Sequence, residues 1–119
     1  MTEERAGGAN LVFHFDVQGS VAKSTHAGIP WLRFIRPRLG ARVHFWPFDG
    51  WNIPAERSAV VEVYPSREER NGDQHDTYSA AAWMRRADLD GSLAAFLNPS
   101  LAMPERPVAQ VEGWILGVA

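Results

Sequence analysis

Three carboxylates stand apart by type and spacing: Glu62, Asp73 and Asp76. Glu62 interrupts the apolar run Ser58-Ala59-Val60-Val61-Glu62-Val63-Tyr64-Pro65, which reads as a buried strand that Pro65 stops. A carboxylate in such a run costs free energy to bury unless it is paired, protonated or bound to a cation. Asp73 and Asp76 stand at i and i+3 where Asp73-Gln74-His75-Asp76 leads into Thr77-Tyr78-Ser79-Ala80-Ala81-Ala82-Trp83, which reads as a helix. Acids on a strand and on the first turn of a facing helix suit Mg²⁺ or Mn²⁺, hard ions that take carboxylate and water oxygens. Two such ions about 4 Å apart orient and activate water for in-line attack on a phosphodiester.

Each acid also has an ordinary explanation. The helix dipole favours both aspartates at a helix start, and Asp73 as an N-cap needs no function. Asp76 is harder to dismiss, because it continues the stripe Ala80, Trp83, Met84, Ala87 at its N-terminal end. Glu62 could form a structural ion pair with an arginine such as Arg42 across the sheet. His14 and His44 fall within strand-like runs and read as half-buried residues, whereas His26 in a Thr/Ala/Gly stretch and His75 between the two aspartates could shuttle protons near neutral pH. No HExxH spacing, phosphate loop or GxGxxG fingerprint is present. GxSxG is missing too. With no cysteine, thiolate metal sites, disulfides and cysteine nucleophiles are excluded.

The elements that must position these residues follow from pattern. Residues 1–9 are polar and Gly/Ala-rich and read as a disordered tail, and residues 10–119 as one domain. Leu11–Phe15 predicts a strand with Asp16 at its exit, an acid that fits an active-site layout or, more commonly, an Asx-type turn. Lys23–Gly28 reads as a loop, and a helix starts at Ile29-Pro30, with Trp31, Ile35 and Leu39 on one face. Pro37 ends or kinks that helix. Arg33, Arg36, Arg38 and Arg42 form a local basic cluster, read as a solvated face. Arg42–Phe48 predicts a second strand, stopped at Pro47, and Ser58–Tyr64 a third with apolar residues on both faces, as in a sheet covered on both sides. The five tryptophans read as mainly structural, although Trp46 and Trp51 flank the turn between these strands and could line a groove. A helix over 74–87, a turn at Asp88–Gly91, a short helix over Ser92–Leu97 and a last helix from Pro104 complete the chain, the last carrying Val108, Val111 and Ile115 inward. Strand, helix, strand, strand, helix, helix makes an α/β domain, a small sheet flanked by helices.

A net charge of −2 argues against general affinity for nucleic acid or anionic membrane, though not against a local basic patch. No run of about 18 apolar residues predicts a membrane span, and the acidic start Met1-Thr2-Glu3-Glu4-Arg5 is unlike a signal peptide. The expected location is the cytoplasm.

At Val60-Val61-Glu62-Val63-Tyr64-Pro65 and Asp73-Gln74-His75-Asp76-Thr77-Tyr78-Ser79-Ala80-Ala81-Ala82-Trp83, the chain resembles a family of uncharacterised proteins predicted to be RNase H-like nucleases. Gly28-Ile29-Pro30, Trp46-Pro47-Phe48 and Glu112-Gly113-Trp114-Ile115 also resemble that family, over roughly residues 16 to 119. Asp73-x-x-Asp76 is similar to the Asp-x-x-Asp of RuvC-type junction resolvases, whose acids bind catalytic metal. The resemblance implies Glu62 and Asp76 as the leading metal-binding catalytic positions, Asp73 as the third, Mg²⁺ or Mn²⁺ as cofactor and a nucleic acid strand as substrate. The chain departs from the family at its start. RNase H-like folds open on a three-stranded antiparallel meander whose first strand bears an essential Asp. Here that meander is missing unless Leu11–Phe15 and Asp16 supply part of it. The expectation is an incomplete RNase H-like α/β fold, the C-terminal portion of a nuclease. Its open sheet edge would invite a homo-oligomer or a partner that supplies the missing strands. The rival expectation is a non-catalytic scaffold or interaction module that kept the frame and lost the chemistry.

Overall fold

Two proline residues lie inside the first helix without ending it. In the computed structural model, which describes residues 22–63 and 73–118, helix α1 runs from Ala22 to Leu39 through Pro30 and Pro37. The expected loop at Lys23–Gly28 is therefore helical. Its inward stripe explains why periodicity missed it: Ala22, Thr25 and Gly28 are the residues that turn away from solvent there, and none is a large apolar side chain. Further along, Ile35 and Leu39 are half-buried as the pattern requires, but Trp31 is 68% exposed. The helix closes through a 3-10 turn at Gly40–Arg42, where Gly40 takes φ 53°. The Arg42 guanidinium donates to the carbonyls of Leu39 (3.3 Å) and Arg38 (3.4 Å), satisfying acceptors that the helix end leaves open.

Strand β1 (Val43–Phe45) pairs in parallel with β2 (Ser58–Val60), in the register Val43 to Ser58 and Phe45 to Val60. A parallel pair needs a long return, and residues 46–57 make it without a helix. After Val61 the same extended run continues as β3 (Glu62–Val63), parallel to β4 (Ile115–Leu116). The Ser58–Val63 run thus serves two partners in turn, and the protein is α/β with a small parallel sheet. Between β3 and β4 lie α2 (Asp73–Asp90), the short α3 (Leu93–Leu97) and α4 (Glu105–Glu112).

Several boundaries differ from expectation. Helix α2 extends through the predicted turn to Asp90, where Gly91 (φ 81°) ends it. In α4 the inward residue is Ala109; Val111 is 79% exposed and Val108 also faces solvent. The helix stops at Glu112, so Ile115 enters the core from β4 and the assumed helical phase is lost. β1 and β4 are buried on both faces, but the Ser58–Val63 run is not. Val61 and Val63 contact the core, whereas Val60 and Glu62 are exposed.

The core is built on tryptophan. Trp46, Trp51, Ala109, Trp114 and Leu116 form its buried centre, with Trp83, Met84, Phe96, Leu97 and the strand valines packed around it. Trp46 and Trp51 meet edge-to-face, with ring centroids 5.4 Å apart, so they are core residues and do not line a groove. Trp46 follows β1, joined to Pro47 by a cis peptide bond, and its Nε1 donates to the Leu97 carbonyl at 3.1 Å, tying the β1 turn to α3. Trp114 Nε1 donates to the Val118 carbonyl at 3.2 Å. Trp51 differs: it is capped by the Arg106 guanidinium 4.8 Å from its ring centroid, and its buried Nε1 has no acceptor among the described residues. The expected strand at Leu11–Phe15 and the tail at 1–9 lie outside the described residues.

Candidate functional site

Glu62 sits in β3 opposite Ile115, and Asp73 and Asp76 occupy the first turn of α2. Glu62 is exposed, which corrects the expectation of a buried carboxylate. Strand alternation is the reason, because Val61 and Val63 take the core side and send Glu62 to the other face. Its functional interest therefore rests on position and reach, and desolvation contributes nothing to it. Asp76 is half-buried at the head of the stripe formed by Ala80, Trp83, Met84 and Ala87, of which Ala87 is buried outright. Asp73 is the first residue of the helix, and its side chain lies outside the described set, as does Asp16. Among the described residues no group of three or more His, Asp or Glu side chains is close enough to hold a metal ion.

The proposed ion pair between Glu62 and Arg42 is excluded by register. Arg42 precedes Val43, which is level with Ser58, so Arg42 is level with Arg57, five positions before Glu62. At about 3.3 Å per residue the two lie roughly 16 Å apart along the strand. Arg42 is moreover engaged with the carbonyls at the end of α1.

The histidines divide in the same way. His44 is buried beyond the half-burial expected, and its Nε2–H donates to the Gly50 carbonyl at 2.8 Å, which pins the turn after β1. His26 is an exposed residue of α1 and not part of a loop, while His75 is half-buried on α2 between the two aspartates. His14 lies outside the described residues.

A second group of polar residues was not expected. Arg36, Gly40, Val43, Phe45, Asp49 and Arg57 line an open cleft of about 420 Å³ beside the end of α1. Asp49 organises it. One carboxylate oxygen accepts the Phe45 backbone N–H at 2.9 Å, and the other pairs with Arg36. Arg36 in turn lies over the Phe45 ring, 4.9 Å from its centroid. In the sequence Asp49-Gly50 reads only as a turn, so nothing there marks Asp49 as a partner for an arginine of α1.

Among the described residues no helix is long and apolar enough to cross a membrane. No family model, curated protein or solved structure matches the chain.

Proposed function

We propose that this chain belongs to an RNase H-like, metal-dependent nuclease that acts on nucleic acid phosphodiesters. The observation that carries the reading is the order of its acids. A strand bearing Glu62 within a parallel α/β frame leads into a helix whose first turn bears Asp73 and Asp76. All three are hard oxygen donors that fit Mg²⁺ or Mn²⁺, and the exposure of Glu62 lets it meet a hydrated ion without a burial cost. Such ions, when bound, would polarise the phosphate and lower the pKa of a bound water. Glu62, Asp76 and Asp73 would hold and space them. In the hydrolysis, water oxygen bonds to phosphorus, one bridging P–O bond breaks, and the water proton passes to the departing sugar oxygen. His75, between the two aspartates in sequence, is the candidate to carry that proton. The first-strand acid of the family has no counterpart in the described residues, so full activity would require Asp16 or a strand from a second chain.

The test is a thermal melt titrated with Mg²⁺ and Mn²⁺. Ion-dependent stabilisation of the wild type, about 2.7 kcal/mol at a hundredfold excess over Kd, should be lost in Asp76→Asn. No shift in either protein would sink the metal site. A second reading, a non-catalytic interaction module on the same frame, is favoured by one observation. Helix α1 leaves Ile29, Trp31, Leu32 and Phe34 exposed, more apolar surface than a solvated helix normally carries.

A further inference from the structure

The open cleft beside the end of α1 holds more cationic hydrogen-bonding capacity than the fold uses. Its two arginines come from different elements, Arg36 from the last turn of α1 and Arg57 from the turn that leads into β2. Arg36 is held in place, since one terminal nitrogen pairs with Asp49 and the guanidinium carbon lies 4.9 Å from the Phe45 ring centroid. The other two guanidinium nitrogens have no acceptor among the described residues. Arg57 is anchored through its backbone, whose N–H donates to the Pro54 carbonyl at 3.0 Å. Its side chain is exposed and has no acceptor among the described residues.

The rest of the lining favours an anion. Asp49 is its one carboxylate, and both oxygens are engaged, one by Arg36 and one by the Phe45 N–H. Two guanidinium groups against one carboxylate leave the lining net positive, and Glu56, next to Arg57, is not part of it. A helix C-terminus ordinarily repels an anion. Here the Arg42 guanidinium covers the Leu39 and Arg38 carbonyls, so the end of α1 is neutralised. Gly40 forms part of the wall at φ 53°, and an added Cβ there would meet no atom within 4 Å, which leaves that space open to a ligand.

We propose that this cleft binds a terminal phosphate group, free or carried on a small molecule, with Arg36 and Arg57 as its two cationic contacts. A guanidinium presents paired N–H groups that match two oxygens of one oxyanion. Two guanidinium groups on different elements therefore call for an anion whose oxygens point in more than one direction. A carboxylate has two oxygens in one plane and satisfies one fork. A phosphodiester has two unbridged oxygens and a single charge. A terminal phosphate has three, and carries a charge of about −1.5 to −2 at neutral pH. The cleft, about 420 Å³, falls within the range of about 300–1,000 Å³ usual for small-molecule sites, so a body attached to the phosphate has room. None of Glu62, Asp73 and Asp76 lines it, so the site goes beyond the nuclease reading and does not rest on it.

The experiment is a thermal melt of the full chain in EDTA at constant ionic strength, titrated separately with inorganic phosphate, glycerol phosphate, dimethyl phosphate and acetate. Phosphate also stabilises proteins in general, by exclusion from their surface, so the readout is the difference between wild type and Arg57→Gln. In chloride alone Arg57→Gln should melt like wild type, because the side chain has no partner to lose. With phosphate its apparent affinity should fall at least about tenfold. Arg57→Lys should recover part of that loss, since the charge stays and the fork goes. Arg85→Gln, on α2, should titrate like wild type. A larger rise with glycerol phosphate than with inorganic phosphate assigns the site to a small monoester, and equal rises assign it to free phosphate. The proposal is overturned if both ligands raise the midpoint of Arg57→Gln as much as that of wild type. It is also overturned if dimethyl phosphate or acetate stabilises as well as phosphate. A large fall in the midpoint of Arg57→Gln in chloride alone would make Arg57 a structural residue and overturn it too. The chelator keeps the result independent of the metal site, whose own test is the Mg²⁺ and Mn²⁺ titration of Asp76→Asn.

Discussion

Two aromatic regions, built from similar residues, are put to opposite use in this molecule. Around β1 and β4, Trp46 and Trp114 are almost wholly buried, and each indole N–H reaches a backbone carbonyl. On α1, Trp31 and Phe34 stand in solvent against each other and Arg38. The difference lies in their neighbours. The buried indoles meet Phe96, Leu97, Ala109 and Leu116, from elements that converge on one point, and an acceptor waits for each N–H. The α1 rings project from a helix whose inward stripe is made of Ala22, Thr25 and Gly28, so close approach of the helix uses small residues and leaves the large ones outside. An aromatic side chain is thus not evidence of a core; its position relative to the packing stripe decides.

The contrast is broken most severely at Trp114. Truncation to alanine removes a buried indole and its bond to Val118, and should cost about 3–5 kcal/mol by denaturant unfolding. A loss under about 1 kcal/mol would mean that the tryptophan cluster is not the centre of the fold. Gly117 should come next. It takes φ 96°, and an added Cβ would stand 3.1 Å from the Trp83 ring. Gly117→Ala should therefore destabilise by about 1–3 kcal/mol, read in the same assay. On the other side of the comparison, Trp31→Ala should change stability by no more than about 0.5 kcal/mol. A large loss would place Trp31 in the core after all. The smallest effect is expected at Asp90, at the end of α2. Hydrogen bonds from Ser92, whose N–H donates at 2.9 Å, lower its pKa below the ordinary 3.8. A carboxyl that loses its proton more easily when folded stabilises the fold above its unfolded pKa, and that contribution fades as pH falls through the carboxylate range. Asp90→Asn should slightly flatten the acid limb of the melting temperature against pH. Since the carboxylate is fully exposed, the change should be small.

Legibility in the sequence followed the strength of the local signal. The helix over 74–87 was readable because Ala80, Trp83, Met84 and Ala87 repeat at helical spacing with helix formers between them. The strand at Ser58–Val63 was readable from its valines, but not its one-sided burial, because period-2 alternation with apolar residues on both faces does not say which face is covered. The candidate acids were legible as residue types at a strand and a helix start. The Arg36–Asp49 cleft was not, since its parts lie on different elements and come together only when β1 follows α1 through the Gly40 turn.

By itself, the sequence determined the α/β character, the three helices after Asp73, the absence of thiol chemistry, and the order of acids Glu62, Asp73 and Asp76 along the chain. These depend on local periodicity, turn residues and composition, which act over a few neighbouring positions. Tertiary structure alone decided that Glu62 faces solvent, that Arg42 caps a helix and cannot pair with it, and that Trp31 stays outside while Trp46 and Trp114 go in. Burial and pairing across elements depend on strand register and on which helix face lies nearest the sheet, and neither is written in any one stretch of residues.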